Sequence, residues 1–126
     1  RPDTDLVTDA LMMAFQRRRP DRRVVHHSDR GAIYTSLAFS HRLADYGLAQ
    51  SFGSTGDCYD NAVVEAFWAT LKRELSWIHR RSTWATRTEL RAALFDYIET
   101  FYNPDRIQRR LGHHSPTNYE KLTTVA

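Results

Sequence analysis

The 126-residue sequence predicts a helix-rich α/β fold with few strands. Two short β-prone runs, 24–27 and 48–52, lie between segments whose apolar residues recur at helical spacing. Gly and Pro punctuation divides the chain into the order helix, strand, helix, strand, helix, helix and tail. One hydrophobic core commonly takes about 100–200 residues, so residues 1–126 fit one domain, with 103–126 as a basic C-terminal tail.

Thr4 is the expected cap of a first helix carrying Leu6, Ala10, Met13 and Ala14. Arg17, Arg18 and Arg19 suit its negative end, and Pro20 stops it. The run Val24-Val25-His26-His27 is a short strand, after which the chain passes Asp29 and turns at Gly31. A second helix opens at Thr35 or Ser36 and repeats through Phe39, Leu43 and Tyr46, with Gly47 beyond its end. Leu48 to Phe52 forms the next strand, Gly53 to Asp57 has the composition of a mobile loop, and Asp60 or Asn61 can cap the long helix that follows.

On that helix Val64, Trp68, Leu71, Leu75 and Ile78 define a buried stripe. Glu65 lies about 100° round from Val64, on the stripe's margin. Lys72 returns to the face of Glu65 about 10 Å along the axis, within reach of a neighbouring phosphate. By periodicity alone both fit a solvated flank equally well. A last helix opens with the capping box Thr86-x-x-Glu89, buries Leu90, Leu94, Ile98 and Phe101, and ends at Asn103-Pro104.

Sixteen Arg stand against only Lys72 and Lys121, with a formal charge of +3 and a pI near 9.3. Guanidinium forks suit phosphate oxygens, although a coding bias on a solvated surface gives the same composition. Lys72, Arg30, Arg73, Arg106, Arg109 and Arg110 are the candidate contacts to a polyanion. For the last three, a docked and solvated tail is the alternative. A lone Cys58 excludes an intramolecular disulfide and makes a reducing, cytoplasmic setting the default. No run approaches the roughly 20 apolar residues of a membrane span.

Asp29 at a strand end and Glu65 early on an amphipathic helix can meet at one divalent metal, the arrangement of metal-dependent phosphoryl transfer on nucleic acid. Mg²⁺ prefers hard oxygen ligands, and two ions about 3.5–4 Å apart can serve an in-line displacement. Two ions require more than two carboxylates. Asp5, Asp9 and Asp21 lie upstream of Asp29, and none is on a plausible adjacent strand. His26-His27 and His113-His114 are adjacent pairs without the helical spacing of zinc ligands, and Ser28 has no nucleophile-elbow context. Trp68 falls in the helical stripe, whereas Trp77 and Trp84 have no assignable place.

The run His27-Ser28-Asp29-Arg30-Gly31, the loop Gly53-Ser54-x-Gly56-Asp57-x-Tyr59-Asp60-Asn61-Ala62, the helix start from Glu65 to Lys72, and the tail Tyr102-Asn103-Pro104 with Leu111-Gly112 and Ser115-Pro116 resemble bacterial insertion-sequence transposases of the retroviral-integrase-like kind. The resemblance covers nearly the whole chain, with thirty-five residues between Asp29 and Glu65. It implies an RNase H-like catalytic core whose D, D, E triad binds Mg²⁺ or Mn²⁺, cuts transposon ends and joins a 3′-hydroxyl to target DNA. Asp29 matches the second acid, Glu65 the third, and Lys72 the basic residue that contacts DNA.

The family's first Asp lies upstream of Arg1, so the chain is expected to be an N-terminally truncated core, poor in catalysis by itself. Its helix-turn-helix region is likewise absent. Gln108 stands where the family's tail often has His. The implied setting is the bacterial cytoplasm, nucleoid-associated when DNA is bound. Two competing readings remain: a non-catalytic DNA-binding or assembly module, and a protein-interaction piece whose open sheet edge pairs with a second chain as a homodimer or higher oligomer.

Overall fold

A computed structural model of the chain describes residues 3–54 and 58–124, which fall into two units, 1–66 and 67–126. In the first unit, helix α1 (Thr4–Arg18) is capped by Asp3, whose Oδ1 accepts the Leu6 N–H at 2.8 Å. The expected cap, Thr4, is instead the first helical residue. A carboxylate one position earlier satisfies an orphan amide and also faces the positive end of the helix dipole. Leu6 and Met13 remain exposed, and α1 is instead joined to the unit by Phe15, stacked on Tyr46 with ring centroids 4.5 Å apart.

Strands β1 (Val25–Ser28) and β2 (Ala49–Phe52) pair in parallel, with register running from Val25↔Ala49 to Ser28↔Phe52. Parallel neighbours need a crossover, and α2 (Leu37–Asp45) supplies it. Ser36 caps α2 by accepting the Phe39 N–H at 3.2 Å. Gly47, at φ +66°, takes the left-handed position that lets the Leu48 N–H return to the Leu43 carbonyl at 2.9 Å. Phe39 and Leu43 are the buried centre of this unit. The rings of His26 and Tyr34 pack edge-on to Phe39 at 5.1 and 5.4 Å. His26 Nδ1 is buried without a hydrogen-bond partner among the described residues, and burial pushes the imidazole's pKa down. Gln50 ties strand to crossover: its amide donates to the Tyr34 carbonyl at 2.7 Å, and its Oε1 accepts from Ser40 at 2.9 Å.

A short 3₁₀ turn (Cys58–Asn61) leads into α3 (Ala62–His79), most of which belongs to the second unit. The stripe expected on α3 forms only at its centre. Leu71 and Leu75 are buried, while Val64, Trp68 and Ile78 stay about half exposed at 49%, 49% and 47%. The partners explain the difference: the cluster around Leu71 and Leu75 is completed by Ala93, Tyr97 and Tyr102, enough to cover two turns of helix and no more.

Helix α4 (Arg87–Asp96) begins as its sequence predicts, with Thr86 Oγ1 accepting the Glu89 N–H at 3.1 Å. The Glu89 carboxylate accepts from the Ala85 N–H at 3.1 Å and pairs with Arg81. Beyond Asp96 the helix widens into a π turn (Tyr97–Tyr102), where the Asn103 N–H reaches back five residues to the Ile98 carbonyl at 3.0 Å. This displaces the buried face. Tyr97 and Tyr102, five apart, both point into the core, while Phe101, expected inside, is 39% exposed. Leu90, Leu94 and Ile98 pack partly buried against the cluster.

The segment from residue 103 onward is docked. Arg106 donates to Glu74 through Nε at 2.9 Å and Nη2 at 2.6 Å, and the buried Tyr97 hydroxyl donates to the same carboxylate at 2.7 Å. Gln108 bridges His114, and the fully buried Ser115 caps α5 (Pro116–Thr124) by accepting the Asn118 N–H at 3.3 Å. The Thr117 N–H donates to the Asn103 carbonyl at 2.9 Å, which closes the segment on itself.

Three outcomes are expected from this packing. Leu75→Ala should cost about 2–5 kcal/mol in urea unfolding, because it opens a cavity against Tyr97 and Tyr102. Tyr97→Phe should cost about 1 kcal/mol, the worth of one hydrogen bond to a charged acceptor less its desolvation. Arg106 holds the Glu74 carboxyl below its usual 4.5, so this contribution is complete above that value and is lost as pH falls through the folded one. Thermal unfolding of the wild type should therefore shift down between about pH 5 and pH 3 more than that of Glu74→Gln, which starts lower at neutral pH.

Candidate active site

Asp29 follows the last residue of β1 and is exposed at the strand's carboxyl end. Its Oδ1 accepts the Gly31 N–H at 2.8 Å, a local turn that fixes the carboxylate. A Cβ at Gly31 would sit 2.9 Å from that oxygen, so Gly is the residue that leaves the carboxylate in place. Ser28 beside it is buried and donates through Oγ to the Asp29 carbonyl at 2.9 Å.

The end of β2 is tied to the same point. The Gly53 N–H donates to the Ser28 carbonyl at 3.0 Å, carrying the parallel ladder one residue beyond Phe52. Arg30 Nε donates to the Gly53 carbonyl at 3.1 Å, with its guanidinium 5.5 Å from the Phe52 ring centroid. The next amide, of Ser54, donates to Asp60 Oδ2 at 2.6 Å. Gly53 packs so closely on Asp60 that a Cβ there would come within 3.0 Å of the Asp60 Cβ. The Ser54 amide, and more weakly the charge of His27, hold the Asp60 carboxyl below its usual range. His27 Nδ1 in turn shares a hydrogen bond with Ser51 Oγ at 3.0 Å, across the paired strands.

Two hydrogen bonds thus lead from Ser28, next to Asp29, to Asp60, in the turn that opens α3. Glu65 is exposed in the first turn of that helix, five residues after Asp60. Sequence reasoning offered Asp60 only as a helix cap and did not find its bond to Ser54. The signal lay in the Gly53-Ser54 pair at the strand end, whose amides have no third strand residue to meet.

The cations separate by environment. Arg30 belongs to the first unit with Asp29 and Glu65. In the second unit, Lys72 and Arg73 are exposed on α3, and Arg109 and Arg110 are exposed around a 3₁₀ turn (Arg109–Leu111). Arg110 Nε donates to Gln108 Oε1 at 3.3 Å. Arg106 is different: half-buried, with its guanidinium committed to Glu74 and facing the Tyr102 ring at 5.7 Å. The carboxylate neighbour raises its pKa, as expected of a structural cation.

Asp29 and Glu65 offer hard carboxylate oxygens, which fit Mg²⁺ or Mn²⁺. Among the described residues, no group of three or more His, Cys, Asp or Glu is placed to hold a metal. Gly56 and Asp57, quoted above for the loop, lie outside the described residues. No helix among the described residues is long and apolar enough to cross a membrane.

Two family models described as integrase core domain match the chain, one over residues 1–58 and the other over 65–123. The chain is 44% identical over 119 residues to the transposase for insertion sequence element IS629 of Shigella sonnei, covering 94% of this chain and 38% of that protein. It is 40% identical over 120 residues to transposase InsF for insertion sequence IS3A of Escherichia coli, with 95% and 41% covered. The transposase for IS904 of Lactococcus lactis is 36% identical over 124 residues, with 98% and 48% covered. The chain thus spans 38–48% of the length of these relatives.

Among solved structures, the catalytic core domain of BIV integrase superposes with a TM-score of 0.65 at 20% identity, covering 99% of this chain and 77% of that one. A chain in the cryo-EM structure of a simian T-cell lymphotropic virus intasome gives 0.66 at 20% identity, with 92% and 42% covered. These neighbours bear out the expected RNase H-like fold, helix-rich with a small sheet. The two matched segments together span most of the chain, and these relatives are transposases of insertion sequences: this chain belongs to the integrase core domain family.

Proposed function

We propose that this chain supplies two acids, Asp29 and Glu65, of a centre that cleaves DNA at transposon ends and transfers the strand to target DNA. The observation that carries this reading is the bridge from Ser28 through Gly53 and Ser54 to Asp60, which couples the strand end bearing Asp29 to the helix start bearing Glu65. Both carboxylates are exposed, so their oxygens are open to a metal ion and a phosphodiester. The transposase relatives support the same chemistry.

Each group has a distinct role in this proposal. The two carboxylates hold a divalent ion, Mg²⁺ or Mn²⁺. When bound, such an ion polarises phosphoryl oxygens and activates the attacking hydroxyl or water. The Gly31 N–H keeps the Asp29 carboxylate oriented, leaving the metal less to organise at binding. Arg30 buttresses the strand end through Gly53 rather than reaching for phosphate. Lys72, Arg73, Arg109 and Arg110 provide exposed positive charge for the DNA backbone, a term that releases counterions and so depends on salt. Arg106 is excluded from that set by Glu74.

In a full-length transposase carrying this segment, Asp29→Asn and Glu65→Gln should each lower strand transfer by about 10²-fold or more in a gel assay with labelled ends, a loss of several kcal/mol. Retained activity in either would overturn the assignment. On the 126-residue chain, weak Mn²⁺ binding read by water-proton relaxation should vanish in Asp29→Ala and Glu65→Ala. Asp60→Ala should weaken it about tenfold, and Asp60→Asn, which keeps an acceptor for Ser54, should restore most of the loss. DNA binding without any metal dependence would instead support a non-catalytic module. Lys72→Ala should reduce the slope of log affinity against log salt by about 1.

A further inference from the structure

Trp77 is the most exposed large apolar side chain on α3, with 81% of its surface in water. Its position explains why the fold cannot bury it. Two residues beyond Leu75, it points about 200° away from the face that meets Ala93 and Tyr97. On its own face the helix carries Arg73 one turn before, and Arg80 follows as the first residue beyond the helix end. Arg80 closes the helix in the left-handed region, φ 52°, with its N–H on the Trp77 carbonyl at 3.3 Å.

The surroundings are one-signed. Between Glu74 and Glu89 the chain contains Arg80, Arg81, Arg87 and His79 and not one acid. Of the bracketing acids, Glu74 is engaged by Arg106, and Glu89 pairs with Arg81, one of these cations. Arg81 also lies over the Trp84 ring, 4.2 Å from its centroid, and the His79 ring meets Trp84 edge-on at 4.9 Å. The connection after α3 is therefore held by ring contacts, while the Trp77 indole stays in water.

We propose that the carboxyl end of α3 and its connection into α4 bind a single-stranded stretch of nucleic acid, with Trp77 stacking on an unpaired base and Arg73 and Arg80 meeting the flanking phosphates. A flat exposed aromatic face in a stretch rich in arginine suits a ligand that is both polyanionic and planar. A duplex offers this surface phosphates but no free base. A second copy of the chain would bring an equally positive surface against it, which charge repulsion opposes. The inference rests on the DNA reading above and adds the form of DNA that this surface prefers.

The test titrates the 126-residue chain with labelled oligothymidylate and with a duplex of equal length. Oligothymidylate should quench tryptophan fluorescence, and the quenching should drop in Trp77→Phe, which removes the indole but keeps a ring that stacks. Trp77→Ala should weaken oligothymidylate binding about tenfold, the loss of one base–aromatic stack, while changing duplex binding less than about twofold. Far-UV circular dichroism should stay unchanged, because the side chain leaves no cavity. Equal affinity of Trp77→Ala and wild type for oligothymidylate, with duplex binding intact, would overturn this inference alone. Absence of binding to both forms would overturn the DNA reading itself. A dimer in sedimentation whose Trp77 emission is shielded without DNA would also overturn the proposal, in favour of self-association.

Discussion

Everything proposed for the active site depends on the pair of backbone amides at the end of β2. Past the last paired residues of a parallel ladder, each backbone N–H must still find an acceptor. Gly53 finds the Ser28 carbonyl, and Ser54 finds a carboxylate from the far side of a loop. The first of these bonds fixes where β1 ends and hence where Asp29 emerges. The second fixes where the chain re-enters helix, five residues before Glu65. The same two bonds that satisfy the backbone thus set the strand end beside Asp29 and the turn before Glu65, with two strands among the described residues.

Much of this was legible in the residues. Both strands, the α2 cap at Ser36, Gly47 beyond the helix end and the α4 cap at Thr86 follow from local rules, and local hydrogen bonds dominate at those positions. What escaped was set by distance in sequence. Asp60 reads as a helix cap because a sequence shows its neighbours and not the strand end it meets. The α3 stripe was overread for a related reason: periodicity says which residues share a face, but the covering partners decide how much of that face is buried. Of the candidate site, the two acids and the exposed cations were legible from residue type and motif. The commitment of Arg106 to Glu74, thirty-two residues away, was not.

That commitment divides the arginines by task. Positive charge near a polyanion is interchangeable, but a guanidinium held by two of its nitrogens to a three-quarters buried carboxylate serves as a fastener. With the Tyr97 hydroxyl on the same carboxylate, Glu74 is shared by three elements: α3, the π turn and the segment after Pro104. The segment beyond residue 103 therefore presents Arg109 and Arg110 from a fixed base rather than on a loose tail.

The π turn carries its own constraint. Five steps along the chain from Tyr97 to Tyr102 do the work that four do in an ordinary helix, so the segment holds one residue more than regular geometry requires. Wound as regular α-helix, the same residues would put Tyr102 about 140° round from Tyr97 and turn everything downstream with it. Arg106 would swing off Glu74, and Asn103 would lose its place under Thr117. The five-residue spacing of the two tyrosines is thus a stricter signature of this turn than any other side chain in it.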